Sequence, residues 1–219
     1  MNVFARRNYE KKYTAEEVKE LILQQAALLF AKKGYEKTSI SDIVANLDGL
    51  TRGAVYHHFD SKFDILIEIA NKLIPSDERI QELINKNISG LEKMQELLLE
   101  GMFNEVAIKE MSHSLVLLKE PLFSAIYNQQ ICLRLGPVIE TFVFEGTQDG
   151  AINVESSKEM SEIVILLKTT WFIESLFPDS GERFIQKLKT AQTILRKSGM
   201  DVLSDEIYMV IMNQLERIT

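Results

Sequence analysis

One stretch constrains this chain more than any other: Thr38-Ser-Ile-Ser-Asp-Ile-Val-Ala-Asn-Leu-Asp-Gly-Leu-Thr-Arg-Gly-Ala-Val-Tyr-His-His-Phe59. It reads as two short helices joined by a tight turn. Ser39 is placed to cap the first, in which Ile40, Ile43, Val44 and Leu47 recur at helical spacing. Asp48-Gly49 stops it, because glycine accepts the left-handed backbone that ends a helix and reverses the chain. Thr51 caps the second helix, where Val55 and Phe59 stand four apart on one side. Arg52, Gly53, Ala54, His57 and His58 are left facing outward, with the ring of Tyr56 beside the apolar stripe. A short helix with a small, basic and aromatic exposed end suits the major groove of DNA. Helix pairs with an Asp-Gly turn occur in any helical protein, and a pair alone binds nothing. Here Gly53-Ala54 leaves no bulk between backbone and groove, while Arg52, Tyr56, two histidines and Lys62 crowd within a turn or two. The expected unit is a helix-turn-helix.

The flanking segments extend that unit. Residues 1–13 carry Arg6, Arg7, Lys11 and Lys12 without a periodic apolar face, the composition of a basic arm for phosphate or the minor groove, or of a solvated terminus. Thr14 and Glu17 form a capping-box pattern that starts a first helix, with Val18, Leu21, Ile22, Leu29 and Phe30 on one face. Lys32-Lys33-Gly34 ends it. After the helix-turn-helix, Phe63, Leu66, Ile67, Ala70 and Ile74 mark a fourth helix closed by Pro75. Lys62 falls in its first turn, where helix electrostatics favours an anion, so a phosphate would supply the missing charge.

Charge distribution sharpens the reading. The net charge is -7, which by itself argues against a nucleic-acid partner. Residues 1–62, however, hold 10 Lys and Arg against 8 Asp and Glu, so the acidic excess lies entirely in the remainder. A mildly basic head on an acidic body lets phosphate attract one end and repel the other. With 46% hydrophobic residues and only 4 Pro and 10 Gly, the chain can bury a sizeable core and favours long helices. The single cysteine, Cys132, cannot form an internal disulfide, which points to a reducing cytoplasm. No apolar run approaches the length needed to cross a bilayer, and no secretory signal is expected.

Several of these residues together resemble the TetR/AcrR family of bacterial transcription regulators. They are Leu29-Phe-Ala-Lys-Lys-Gly-Tyr35, Thr38-Ser-Ile-Ser-Asp-Ile-Val44, Leu50-Thr-Arg-Gly-Ala-Val-Tyr-His-His-Phe59 and Ser61-Lys-Phe-Asp-Ile-Leu66. The likeness covers about the first third of the chain. One departure is the turn Leu47-Asp48-Gly49-Leu50, one residue longer than is usual in the family. The resemblance implies an all-α protein with a DNA-binding domain over 14–75 and a helical regulatory and dimerisation domain over 76–219. It places Thr51, Arg52, Gly53, Ala54, Tyr56, His57 and His58 on the recognition helix, Thr38, Ser39 and Ser41 near the DNA backbone, and Lys62 on a phosphate. Side-chain chemistry gives compatible roles: Arg52 can bond two acceptors of a guanine edge, while the Tyr56 and Thr51 hydroxyls and His58 suit phosphate oxygens.

The remainder reads as helices: one from Ile80 to Ile108 kinked at Ser89-Gly90, one from Leu122 to Phe144 bent at Gly136-Pro137, then Met160–Phe177, Phe184–Leu195 and Val202–Ile218. Glu145–Asn153 reads as a loop. The resemblance implies a homodimer built on Met160–Phe177 and the helix after it. A short recognition helix reads few base pairs, so a two-fold dimer on a palindromic operator fits DNA geometry. It also implies a small-molecule effector, apolar or aromatic, in a pocket lined by Met102, Phe103, His113, Phe123, Tyr127, Trp171 and Phe172. The implied function is a transcriptional repressor released from DNA by that ligand. The rival classes are a small helical enzyme and a helical interaction module. Against the enzyme, there is no phosphate-cradling glycine loop, paired-cysteine motif or nucleophile elbow, and His57, His58, His113 and Cys132 do not form a metal set. No catalytic residue, metal or cofactor is expected.

Overall fold

A computed structural model of the 219-residue chain describes residues 13–103, 112–172, 176–177 and 180–218. Among the described residues the regular structure is entirely helical. The basic arm expected over 1–13 lies almost wholly outside them. The chain forms two compact units, one ending at Leu66 and one running on from Ile67.

The first unit holds α1 (Ala15–Lys33), α2 (Ile40–Val44), α3 (Arg52–His58) and the start of α4 (Lys62–Asn71). Thr14 caps α1 in a reciprocal box: its hydroxyl accepts from the Glu17 N–H, and Glu17 accepts from the Thr14 backbone. Ile22, Leu23, Ala26, Ala27, Leu29 and Phe30 of α1 are buried, with Ile40 and Ile43 of α2 and Val55 of α3. A second capping box, Ser39 with Asp42, starts α2. This helix is shorter than the expected span to Leu47. The reason is local: the Asn46 and Leu47 N–H groups bond to Ile43 and Val44, three residues back, and the Asn46 side chain takes the Asp42 carbonyl. The chain therefore tightens into turns before Gly49, whose φ of 77° delivers the reversal.

The second unit contains α5 (Asp77–Asn85), α6 (Gly90–Phe103), α7 (Ser112–Leu117), α8 (Pro121–Arg134), α9 (Gly136–Asp149), α10 (Ser157–Leu166) with a π-helical turn over Leu167–Trp171, α11 (Gly181–Lys197) and α12 (Asp205–Ile218). The anticipated kink at Ser89-Gly90 is a full break. Lys86 leaves helical geometry with ψ 137°, and Ser89 opens a new helix by exchanging hydrogen bonds with Glu92. The break folds α5 back beside α6, where Arg79 pairs with Glu100 at 2.6 Å and Lys86 with Glu96 at 2.6 Å. Only Leu135 separates α8 from α9, as the Gly136-Pro137 step suggests. Helix α9 then runs through the anticipated loop to Asp149, because Gly146 packs inside rather than ending a helix. Arg134 holds the chain after α4, donating to the Asn71 and Pro75 carbonyls and to Asp77 at 2.6 Å.

The packing of α6 on α9 sets how close these two helices come. A Cβ at Gly90 would overlap the Phe142 carbonyl oxygen and the Gly146 amide nitrogen, neither of which can move without displacing α9. The Gly90 N–H also donates to Asp149 at 2.9 Å. Gly90→Ala should therefore cost about 3 kcal/mol, the upper end of overpacking penalties. Urea unfolding measures it; a loss below about 0.5 kcal/mol would contradict this close approach.

Candidate DNA-reading surface and effector cavity

Helix α3 begins where the Thr51 hydroxyl accepts from the Ala54 N–H at 3.2 Å. From there its two faces differ. Val55 is fully buried and Phe59, just beyond the helix, nearly so, which fixes the rotation of α3 about its axis. Arg52, Gly53, Tyr56 and His57 are exposed as a result, with Ala54 and His58 partly so. Tyr56 stands 48% exposed, so its ring lies in solvent rather than beside the apolar stripe. The His57 and His58 rings meet edge to face, with 5.3 Å between their centres.

Gly53 is the most informative position. An added Cβ would meet nothing closer than the Thr51 hydroxyl at 3.6 Å, an ordinary contact. Its backbone needs no positive φ. Glycine inside a helix costs roughly 0.5–1 kcal/mol relative to alanine, so nothing within the fold explains it. Its lack of a side chain makes sense toward something outside.

The three residues expected at the start of α2 separate. Ser41 is exposed. Ser39 is exposed too, but its hydroxyl is engaged with Asp42, and these bonds together with Lys33 hold the Asp42 carboxyl down at about 2. Thr38 is only 1% exposed, and its hydroxyl donates to the Gly34 carbonyl at 2.9 Å. It joins the end of α1 to α2 and is in no position to touch DNA. Lys62 also turns inward: its ammonium donates to the Tyr35 and Thr38 carbonyls at 2.8 and 2.9 Å and lies 4.0 Å from the centre of the Tyr35 ring. Carbonyl oxygens thus supply the negative partner that its place in the first turn of α4 requires. One of its three N–H groups remains for an outside anion.

In the second unit a cavity of about 200 Å³ opens among α6, α9, α10 and its π-turn, α11 and the Val202-Leu203 segment. Of the residues expected to line a pocket, Met102 and Phe172 do. Trp171 touches Phe172 (5.7 Å between ring centres) without lining the cavity, and Phe103 packs on the surrounding core. Phe123 is buried away from it. Tyr127 packs against the core, where desolvation pushes its hydroxyl up to about 12. The side chain of His113 lies outside the described residues. The wall is instead aliphatic, with Leu97, Leu98, Ile139, Val164 and Leu188 prominent. Sequence reasoning sought aromatics and so passed over these leucines, which read as ordinary core. It also missed Lys168, which lines the same cavity. The available signal was a cation inside the most apolar helical stretch of the chain.

An exposed short helix held on two others, its open face small, basic and aromatic, defines the class: a helix-turn-helix protein with a helical body. The comparisons narrow it. Residues 22–69 match the family model described as bacterial regulatory proteins, tetR family. The chain is 43% identical over 58 residues to the transcriptional regulator AcrR of Shigella flexneri, covering 26% of each chain. It is 37% identical over 62 residues to the regulator TtgR of Pseudomonas putida, covering 28% of this chain and 29% of that one. The matched segments thus span between a quarter and a third of those relatives. Among solved structures, a gamma-butyrolactone receptor superposes with a TM-score of 0.58 at 21% identity, over 94% of this chain and 99% of that one. NalD, the secondary repressor of the MexAB-OprM efflux pump in Pseudomonas aeruginosa, gives 0.60 at 21% identity, over 84% and 96%. At such identities the structures speak for the fold alone. Over residues 22–69 the chain is similar to the tetR family of bacterial regulatory proteins.

Gly53 supplies a test of the surface. Gly53→Ala should stabilise the fold by about 0.5–1 kcal/mol while weakening DNA binding. Thermal unfolding and a DNA titration on one preparation read both. Unchanged DNA affinity would show that no close approach occurs there.

Proposed function

We propose that the protein is a transcriptional regulator, a homodimeric repressor that binds a palindromic operator through α3 and is released from it by a small-molecule ligand. The observation that carries this reading is the face of α3: Arg52, Gly53, Tyr56 and His57 open to solvent while Val55 is buried. In this reading the Arg52 guanidinium contacts a guanine edge in the major groove. The Thr51 and Tyr56 hydroxyls, His57, His58 and Ser41 serve phosphates or base edges near it, and the remaining N–H of Lys62 reaches a phosphate. Ser39, Thr38 and Ala54 act by shaping the two helices.

Dimerisation is assigned to α10 and α11. Ile163 and Leu166 on α10 stand 43% and 54% exposed, and Ile194 on α11 stands 43% exposed, an outward apolar set that a second copy would cover. The neighbouring Leu167 turns to the cavity instead. For the ligand to act, it must bind the released form more tightly than the DNA-bound form; by linkage, DNA then weakens ligand binding by the same factor. Among the described residues no helix is long and apolar enough to cross a membrane.

Two measurements test this. If a dimer makes about eight phosphate contacts, log affinity should fall with log salt at a slope of about -7. Arg52→Ala should cost about 1–3 kcal/mol per half-site and relax sequence preference. A slope near zero, or an Arg52→Ala protein with unaltered discrimination, would overturn the assignment of α3. Separately, Leu166→Asp should weaken the dimer by about 3 kcal/mol over two copies, about a hundredfold in dissociation constant. Sedimentation of the unmodified protein as a monomer at micromolar concentration would contradict the dimer.

A further inference from the structure

The cavity of the second unit has one feature that its apolar wall does not explain. Among the described residues that line it, only Lys168 carries a polar side chain; the others are Leu, Ile, Val, Met, Phe and Ala. Lys168 sits in the π-helical turn that follows α10, a backbone irregularity frequent at functional sites. Its ammonium lies against α6 at Gly101, where an added Cβ would come within 2.8 Å of Nζ. Gly101 thus leaves the space the ammonium occupies.

The fold shows elsewhere how it satisfies an interior lysine. Lys93 donates to the Ile84 carbonyl and to Glu145, each at 2.8 Å. Lys187 donates to the Phe177 carbonyl at 3.0 Å. Lys62 in the first unit takes two carbonyls. Lys168 has no such partner among the described residues, and burial pulls its pKa below the ordinary lysine value. An unpaired ammonium in an apolar site is costly, and a neutral residue of similar length would fill the same space.

We infer that Lys168 is the anchor of an effector site for an amphipathic monoanion, a carboxylate on an apolar body, with the carboxylate on Nζ and the body along the aliphatic wall of the cavity. One ammonium with no further donor among the described lining residues matches one carboxylate; a phosphate dianion would keep an uncompensated charge. The size also fits: an apolar cavity of about 150 Å³ holds a benzene-sized guest, so this one suits a single ring or a medium alkyl chain. This inference rests on the effector part of the function proposed above and makes its chemistry specific.

The test uses the full-length protein without DNA, with octanoate and 1-octanol as probes. Titration calorimetry should show octanoate binding at least tenfold more tightly than 1-octanol. Emission from Trp171, the only tryptophan, should shift with it, since its ring touches the lining residue Phe172. Lys168→Met should abolish the preference for the carboxylate, keep 1-octanol binding and unfold at a higher temperature than the parent. Lys168→Arg should restore the preference. Equal preference in the parent and in Lys168→Met, or a lower unfolding temperature for Lys168→Met, would overturn the inference, the latter by revealing an internal partner for the ammonium. A DNA-retention assay with octanoate is read separately. Carboxylate binding that leaves DNA affinity unchanged would uphold the anion site and count against ligand-controlled release.

Discussion

A seven-residue helix does not persist alone in water, so everything α3 can do depends on the burial of Val55 and Phe59. These two side chains hold α3 onto the core built from α1 and α2, with no accessible surface left on Val55. Their burial also sets the helix rotation. With that rotation fixed, Arg52, Tyr56 and His57 have one direction in which to point. The Thr51 cap and the Gly49 turn determine where the helix starts, and the Asp42–Ser39 box does the same for its partner. The chemistry that α3 presents is therefore a consequence of apolar packing and caps rather than of any interaction among the polar residues themselves.

Polar groups inside the first unit act in the same service. Thr38 and Lys62 both terminate on backbone carbonyls between α1 and α2. A buried carbonyl without a donor is expensive, and these two side chains remove that cost where three chain segments converge. In the second unit the buried Lys93, bonded to Ile84 and Glu145, does the equivalent for α5, α6 and α9. Lys168 stands apart from this pattern. Half-buried at the cavity, it has no partner of their kind among the described residues.

Much of the first unit was legible because its signals are local. Thr14 with Glu17 and Ser39 with Asp42 are contiguous capping patterns, and Asp48-Gly49 announces its own turn. What local pattern cannot convey is where a side chain ends up. Thr38 reads as an exposed hydroxyl beside a serine cap, yet it is buried because the Gly34 carbonyl faces it. Lys62 reads as a cation awaiting phosphate until the Tyr35 and Thr38 carbonyls, 27 and 24 residues earlier, arrive beside it. In the second unit, Gly146 reads as a loop residue, but it lies inside α9, where an added Cβ would overlap the Ile152 side chain. Aromatic residues mark a pocket in the sequence, yet the cavity lies mostly among leucines and other aliphatics, because shape complementarity between distant helices decides which apolar residues meet and which leave a gap.

The central claim is that the open face of α3 reads a two-fold DNA site. In vitro selection from a pool of randomised duplexes, carried out with the purified protein at about 0.15 M salt where nonspecific phosphate attraction is damped, tests it most directly. The account predicts enrichment of an inverted repeat whose half-sites lie about one helical turn or more apart. Recovery of no motif, or of a single unrepeated site, would contradict it.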